Sequence, residues 1–193
     1  EQISSSGFLD YDFAKNQLWF VTDGSLYKFS QLNENSSESP VTYSADVTVY
    51  NFRTTDLGID DTPLASCIYN DIVYLAYSTV DNADVPFILL EYDISSAEVD
   101  EEEPTQFSIE TPKATKKLCA GMDLSSDAKI TDILYQDGAV YILVREYSFD
   151  SSKISRGAVL RYNTLTGNLD TLGFADAVDN ASRSEERRVG KEC

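Results

Sequence analysis

Histidine is absent from all 193 residues, and that absence removes more chemistry than any motif in the chain supplies. Ser-His-Asp and Cys-His nucleophile systems, HExxH zinc sites and imidazole acid/base catalysis all need a ring that is not there. Carboxylate, tyrosine, lysine and arginine chemistry is what remains, and no catalytic residue is assigned. Cysteine is nearly absent too. Cys67 and Cys119 lie too far apart in sequence for a CxxC-type metal site, and the third cysteine is the final residue, Cys193. Cys67 and Cys119 either form one disulfide or sit as two buried thiols. No apolar run approaches the ~20 residues a membrane helix needs, so no transmembrane segment is expected. The first residue is Glu1 rather than Met, consistent with a signal or anchor segment that this sequence does not include.

Positive charge is the remaining shortage. Lys and Arg number 15 against 33 Asp and Glu, for a net charge of −18. Such a surface repels phosphate backbones and anionic bilayers, so nucleic acid is excluded as a partner, while a cation, a basic protein or a small ligand is permitted. At 42% hydrophobic and 11% aromatic, the chain has the material for a packed core and is not composed like a disordered one.

The strongest pattern is internal repetition. The segments KNQLWFVT (Lys15 to Thr22), NDIVYLAY (Asn70 to Tyr77) and DGAVYILV (Asp137 to Val144) align without gaps, placing Trp19, Tyr74 and Tyr141 in one column. Each is followed by a second apolar run, LYKFS, LLEYD and VLRYN, which aligns Phe29, Tyr92 and Tyr162. Between the second and third units a match at an offset of 67 extends over 22 residues, five of them identical. The runs are short, rich in Val, Ile, Tyr and Phe, and bounded by Asn, Asp, Gly and Ser, which are strand and turn signals. IVYLAY and VYILV are apolar without alternation, so each such strand needs cover on both faces, as stacked sheets provide. In the third unit the strands are expected at Ile130–Tyr135, Ala139–Tyr147, Ala158–Asn163 and Gly167–Leu172.

Four short meandering strands per unit, repeated, describe a propeller blade. The fold class expected is all-β, with about three four-stranded antiparallel blades forming a partial β-propeller over residues 1–182, at approximately 7–47, 62–112 and 129–173. A β-sandwich is the competing architecture. QLWFVTDGSLYKF (Gln17 to Phe29), and DGAVYILV followed by RGAVLRYNTLTGNLD (Arg156 to Asp170), resemble β-propeller repeats of bacterial extracytoplasmic proteins, particularly surface lipoproteins. That resemblance implies a location outside the cytoplasm, in the periplasm or on the cell surface, and brings no catalytic residues with it. The WD, YWTD and S-x-D-x-G-x-x-W signatures of particular propeller families are missing.

The last eleven residues, RSEERRVGKEC (Arg183 to Cys193), resemble residue for residue the in-frame translation of a common sequencing adapter. The natural reading frame is then expected to end at or just before Ser182. On this reading the basic residues of that stretch are not a binding patch, Cys193 is not a reactive thiol, and the chain is an arc of a larger propeller.

Blade topology places the loops between second and third strands on one rim with the loops between blades. That rim would carry Asp56, Asp60 and Asp61, Asp81 and Asp84, Asp123 and Asp127, and Asp150. The D-L-x-x-D pair recurs at Asp56/Asp60 and Asp123/Asp127. Those four are candidate calcium ligands, since calcium takes 6–8 oxygens, and Asp81, Asp84 and Asp150 are candidate binding-rim residues. The plainer reading is that all of them cap turns and solubilise the surface. The opposite rim is acidic as well, with Glu98 and Asp100 to Glu103 expected in a loop. Two functions follow: a noncatalytic scaffold that binds a protein or small ligand on the bacterial exterior, or a propeller hydrolase or lyase working through carboxylates, with calcium as its one conceivable cofactor.

Overall fold

A computed structural model describes residues 7–22, 24–35, 42–54, 57–60, 62–80, 82, 84–99, 101, 103, 105–122, 124, 127–146 and 156–176. The chain is all-β, and among the described residues the one helical element is a single 3-10 turn at Ile94–Ser96. No helix among them is long and apolar enough to cross a membrane. Residues 1–120 and 121–193 form two compact units.

The first unit opens with a meander of β1 (Phe8–Asp12), β2 (Gln17–Val21), β3 (Ser25–Asn35) and β4 (Thr42–Phe52). β5 (Ala65–Tyr69), β6 (Ile72–Ser78) and β7 (Phe87–Asp93) then form a second meander. Turn chemistry sets their registers. Asn70 and Asp71 both adopt positive φ, 51° and 64°, the left-handed pair that a two-residue hairpin requires and that Asn and Asp tolerate best.

After β7 the chain departs from the expected plan. β8 (Glu98–Val99) and β9 (Gln106–Ile109) cross to the first sheet before β10 (Ala114–Leu118) completes the second. The first sheet is therefore six-stranded, in the order β1-β2-β3-β4-β9-β8, while the second, β10-β7-β6-β5, has four antiparallel strands. One expectation is corrected: Glu98 lies in a strand rather than a loop. The physical reason is the open edge of β4: β9 pairs with it in parallel, from Val49 opposite Gln106 to Phe52 opposite Ile109, and satisfies its unpaired backbone groups.

The two sheets stack face to face. Trp19, Val21, Leu26, Tyr50, Phe52 and Ile109 of the first meet Val73, Leu75, Tyr77, Leu90 and Tyr92 of the second in one buried cluster. Phe52 and Tyr92 have ring centroids 4.6 Å apart, and Trp19 and Tyr50 5.8 Å. The other face of the second sheet is buried as well, at Tyr74, Ala76 and Leu89. That is why IVYLAY shows no alternation. Cys67 and Cys119 are both buried thiols.

The second unit is one antiparallel sheet of β11 (Ala128–Gln136), β12 (Ala139–Glu146), β13 (Arg156–Asn163) and β14 (Leu169–Asp176). These are the four strands the sequence pattern predicts, the last starting two residues later than expected and running four further. Its first hairpin turns on Asp137 and Gly138, with φ 49° and 76°. One face is buried through Ile133, Val140, Ile142, Ala158 and Leu160.

A single register runs through all three sheets. Leu18 faces Phe29, Val73 faces Tyr92, and Val140 faces Tyr162 across the second and third strands of each. No sheet closes on itself among the described residues.

Candidate functional site

Of the candidate carboxylates, Asp60, Asp84 and Asp127 are described and all three side chains are exposed. Asp56, Asp61, Asp81, Asp123 and Asp150, and the terminal stretch 183–193, lie outside the described residues. An isolated bridge between Ile59 and Thr79 brings the loop before β5 beside the loop between β6 and β7. Asp60 donates its backbone N–H to Ser78 O at 3.0 Å, and Val80 donates to Gly58 O at 2.9 Å. Asp60 and Asp84 therefore belong to neighbouring loops. In the second of these, Asn82 Oδ1 accepts the Val85 N–H at 3.2 Å and Thr79 Oγ1 donates to Val85 O at 2.6 Å, so the loop is held by its own turn bonds. Among the described residues no three Asp, Glu or Cys side chains gather closely enough to hold a metal ion.

The buried described carboxylates are others, Asp12, Glu91 and Glu146, and Asp10 is half-buried two positions before Asp12 on β1. This strand reverses the usual pattern: Leu9 and Tyr11 point out, and Asp10 and Asp12 point toward the second sheet. Asp12 is fully buried. A buried carboxylate is costly unless hydrogen-bonded, and Asp12 accepts three backbone N–H groups: Ala14 at 2.9 Å, Lys15 at 3.3 Å and, across the sheet interface, Asp71 at 3.3 Å. Lys15 Nζ closes the corner on Asp71 Oδ2 at 3.2 Å. Two positions earlier, Asp10 Oδ2 accepts the Ser66 hydroxyl at 2.5 Å. This seam of Asp10, Asp12, Lys15, Ser66 and Asp71 joins the first strands of two sheets. Through it two carboxylates accept backbone and hydroxyl donors from both sheets and tie them together.

Burial sets the remaining electrostatics. The Tyr92 phenol is pushed up to about 12 by desolvation, its hydroxyl donating to Arg53 O at 3.3 Å. Tyr50 is raised by burial and, secondarily, by the negative charge of Asp71. Burial lifts the Cys119 thiol to about 11, which keeps it protonated and unreactive near neutrality. Glu91, buried on β7, is matched by Lys113 Nζ at 3.1 Å.

What the surface does offer is apolar. On the outer face of the first sheet the cross-strand pairs Leu9–Phe20 and Tyr11–Leu18 continue into Phe20–Tyr27 and Leu18–Phe29. Leu9 is 68% exposed, and Phe13, in the turn after β1, 79%. On the exposed face of the third sheet Leu134, Leu143 and Val159 stand in the open beside half-buried Tyr141, around a hollow of about 110 Å³. Asp132, Arg161 and Asp170 carry charge on the same face, the last two paired at 3.8 Å. The sequence reading missed Asp10 and Asp12, although FLDYD carries the signal in two acids at alternate positions of a strand whose other positions are apolar. It also missed these two faces as candidate binding surfaces.

Compared with models of known protein families, with curated proteins and with solved structures, the chain matches none.

Proposed function

We propose that the chain is part of a β-propeller and works as a noncatalytic scaffold, binding a protein or small ligand on the exterior of a bacterial cell. The observation that carries this reading is the second sheet, buried on both faces and stacked through one of them on the first. Face-on stacking is common to sandwiches and propellers. What favours the propeller is the register shared by three meanders, each with its second-strand aromatic residue, Trp19, Tyr74 or Tyr141, on the face opposite to Leu18, Val73 or Val140. The scaffold reading is supported by how three carboxylates of the first unit are used: Asp12 serves backbone donors, Asp10 a hydroxyl and Glu91 a lysine. The exterior location rests on the resemblance of the hairpin sequences to surface-lipoprotein repeats.

The test has two arms. Incubation with chromogenic glycosides and with lactones, in calcium and in EDTA, is expected to give no turnover. Turnover abolished by Asp60→Asn or Asp127→Asn would replace the scaffold with a carboxylate hydrolase or lyase. Protease treatment of intact bacteria carrying the gene is expected to remove the protein, whereas full protection until lysis would exclude the cell surface.

A further inference from the structure

The chain makes one sheet-on-sheet interface against which the two apolar faces just described can be compared. Within the first unit, the first sheet uses the face bearing Trp19 and Val21 to cover the face of the second bearing Val73, Leu75 and Tyr77. The shared register converts this into a rule for every sheet. The column of Trp19 and Tyr141 is the covering face, and the column of Leu18, Val73 and Val140 is the covered face.

Applied to the remaining faces, the rule assigns each a type. The exposed face of the third sheet carries Leu134, Tyr141, Leu143 and Val159, so it is of the covering type. The outer face of the first sheet carries Leu9, Tyr11, Leu18 and Phe20, so it is of the covered type. They differ in kind, and each is the counterpart of the other.

We propose that this chain associates with a second copy of itself head to tail, the exposed face of the third sheet of one copy seating on the outer face of the first sheet of the next. The aromatic and branched side chains around Phe20 would fill the hollow between Leu134, Tyr141, Leu143 and Val159, as Val73 and Leu75 pack beneath Trp19. Because the two surfaces are unlike, the contact is heterologous, and one copy can accept one partner on each of them. Burial of apolar area drives it. The net charge of −18 opposes it, so screening by salt strengthens the association where it would weaken an ionic one. The inference needs only the common register and the observed stacking. It does not require a closed ring, and it stands or falls separately from the scaffold function.

Sedimentation velocity on the whole chain tests it with two blocked variants, Leu9→Lys on the covered face and Leu143→Lys on the covering face. Both side chains stand in solvent, 68% and 38% exposed, so wild-type circular dichroism and melting are expected. If either variant misfolds, Val47→Lys on the first sheet and Val159→Lys on the third, each 36% exposed, replace them. Wild type should associate beyond the dimer as concentration and salt rise. Each variant alone should lose roughly tenfold or more in association constant, equivalent to about 1.4 kcal/mol. An equimolar mixture should regain association and stop at the dimer, because each variant retains the half that the other lacks. A wild type that stays monomeric to its solubility limit overturns the proposal. So does a single variant that dimerises as well as wild type, or a mixture that associates no better than its components.

Discussion

The Oδ2 of Asp12 accepts the backbone N–H of Asp71 at 3.3 Å, so a carboxylate at the end of the first strand fixes the hairpin turn of the neighbouring sheet. The same side chain closes its own turn on Ala14 and Lys15. Two turns and the interface between two sheets thus depend on one residue.

Asp12→Ala strands those three donors and should destabilise the protein by about 1–3 kcal/mol, the cost of leaving buried polar groups unsatisfied. Asp12→Asn keeps an acceptor oxygen for the local turn and should lose less. Urea unfolding of both variants checks the order. Equal midpoints for Asp12→Ala and wild type would mean that water replaces the carboxylate.

The aromatic column separates by cover. Trp19 and Tyr74 are 0% and 3% exposed, whereas Tyr141 is half-buried on the open face of its sheet. Trp19→Ala and Tyr74→Ala should each cost about 3–5 kcal/mol, the range for emptying a large aromatic site in a core. Tyr141→Ala should cost clearly less in the monomer. Similar losses at all three positions, measured by equilibrium unfolding at low concentration, would show that the third sheet is covered in solution.

What was legible in the sequence was what short-range chemistry fixes. Asn70-Asp71 and Asp137-Gly138 announce their hairpins, and the apolar runs around Tyr74 and Tyr141 announce central strands, because turn conformation and strand pairing are local. Cover on both faces, expected for IVYLAY and VYILV alike from their unbroken apolar runs, holds for the first and not for the second, where Leu143 is 38% exposed, because cover depends on tertiary stacking that no local run specifies. The detour of β8 and β9 to the first sheet was not legible: it is decided by the open edge of β4, some fifty residues away in sequence, and a two-residue strand at Glu98–Val99 leaves almost no pattern. Loop aspartates drew attention as candidate ligands because they are many. The acids that organise the interior, Asp10 and Asp12, were hidden by their small number and by the apolar residues on the wrong side of their strand.

Alkaline pH should loosen the fold in a defined window. Tyr92 is raised in the folded state from 10.0 to about 12, and Cys119 from 9.0 to about 11. Between the ordinary and the raised values the folded chain holds more protons than the unfolded chain, so stability falls as pH rises. The loss begins near pH 9 as the unfolded thiol ionises and continues to about pH 12. Tyr92→Phe removes the phenol's share and should flatten the upper part of that decline. A stability curve identical to wild type between pH 10 and 12 would show that Tyr92 ionises as freely in the fold as in the unfolded chain.

Gly138 isolates backbone from packing. At φ 76° it occupies the second position of the β11–β12 turn, and a Cβ built there meets nothing within 4 Å. Gly138→Ala therefore adds no clash, and its cost is the left-handed conformation itself, about 1–2 kcal/mol for an L-residue. Gly157, in β13, provides the control. Its φ is outside the left-handed region, and a Cβ there would lie at an ordinary 3.7 Å from Val144 O. Gly157→Ala should be neutral or stabilise by about 0.4–1 kcal/mol, because it restricts the unfolded chain at a position the folded chain tolerates. In thermal melts Gly138→Ala should fall below wild type and Gly157→Ala should not. If Gly138→Ala melts no lower than wild type, the Asp137-Gly138 turn does not hold its left-handed pair in solution, and the register it sets between β11 and β12 must be fixed by the strands alone.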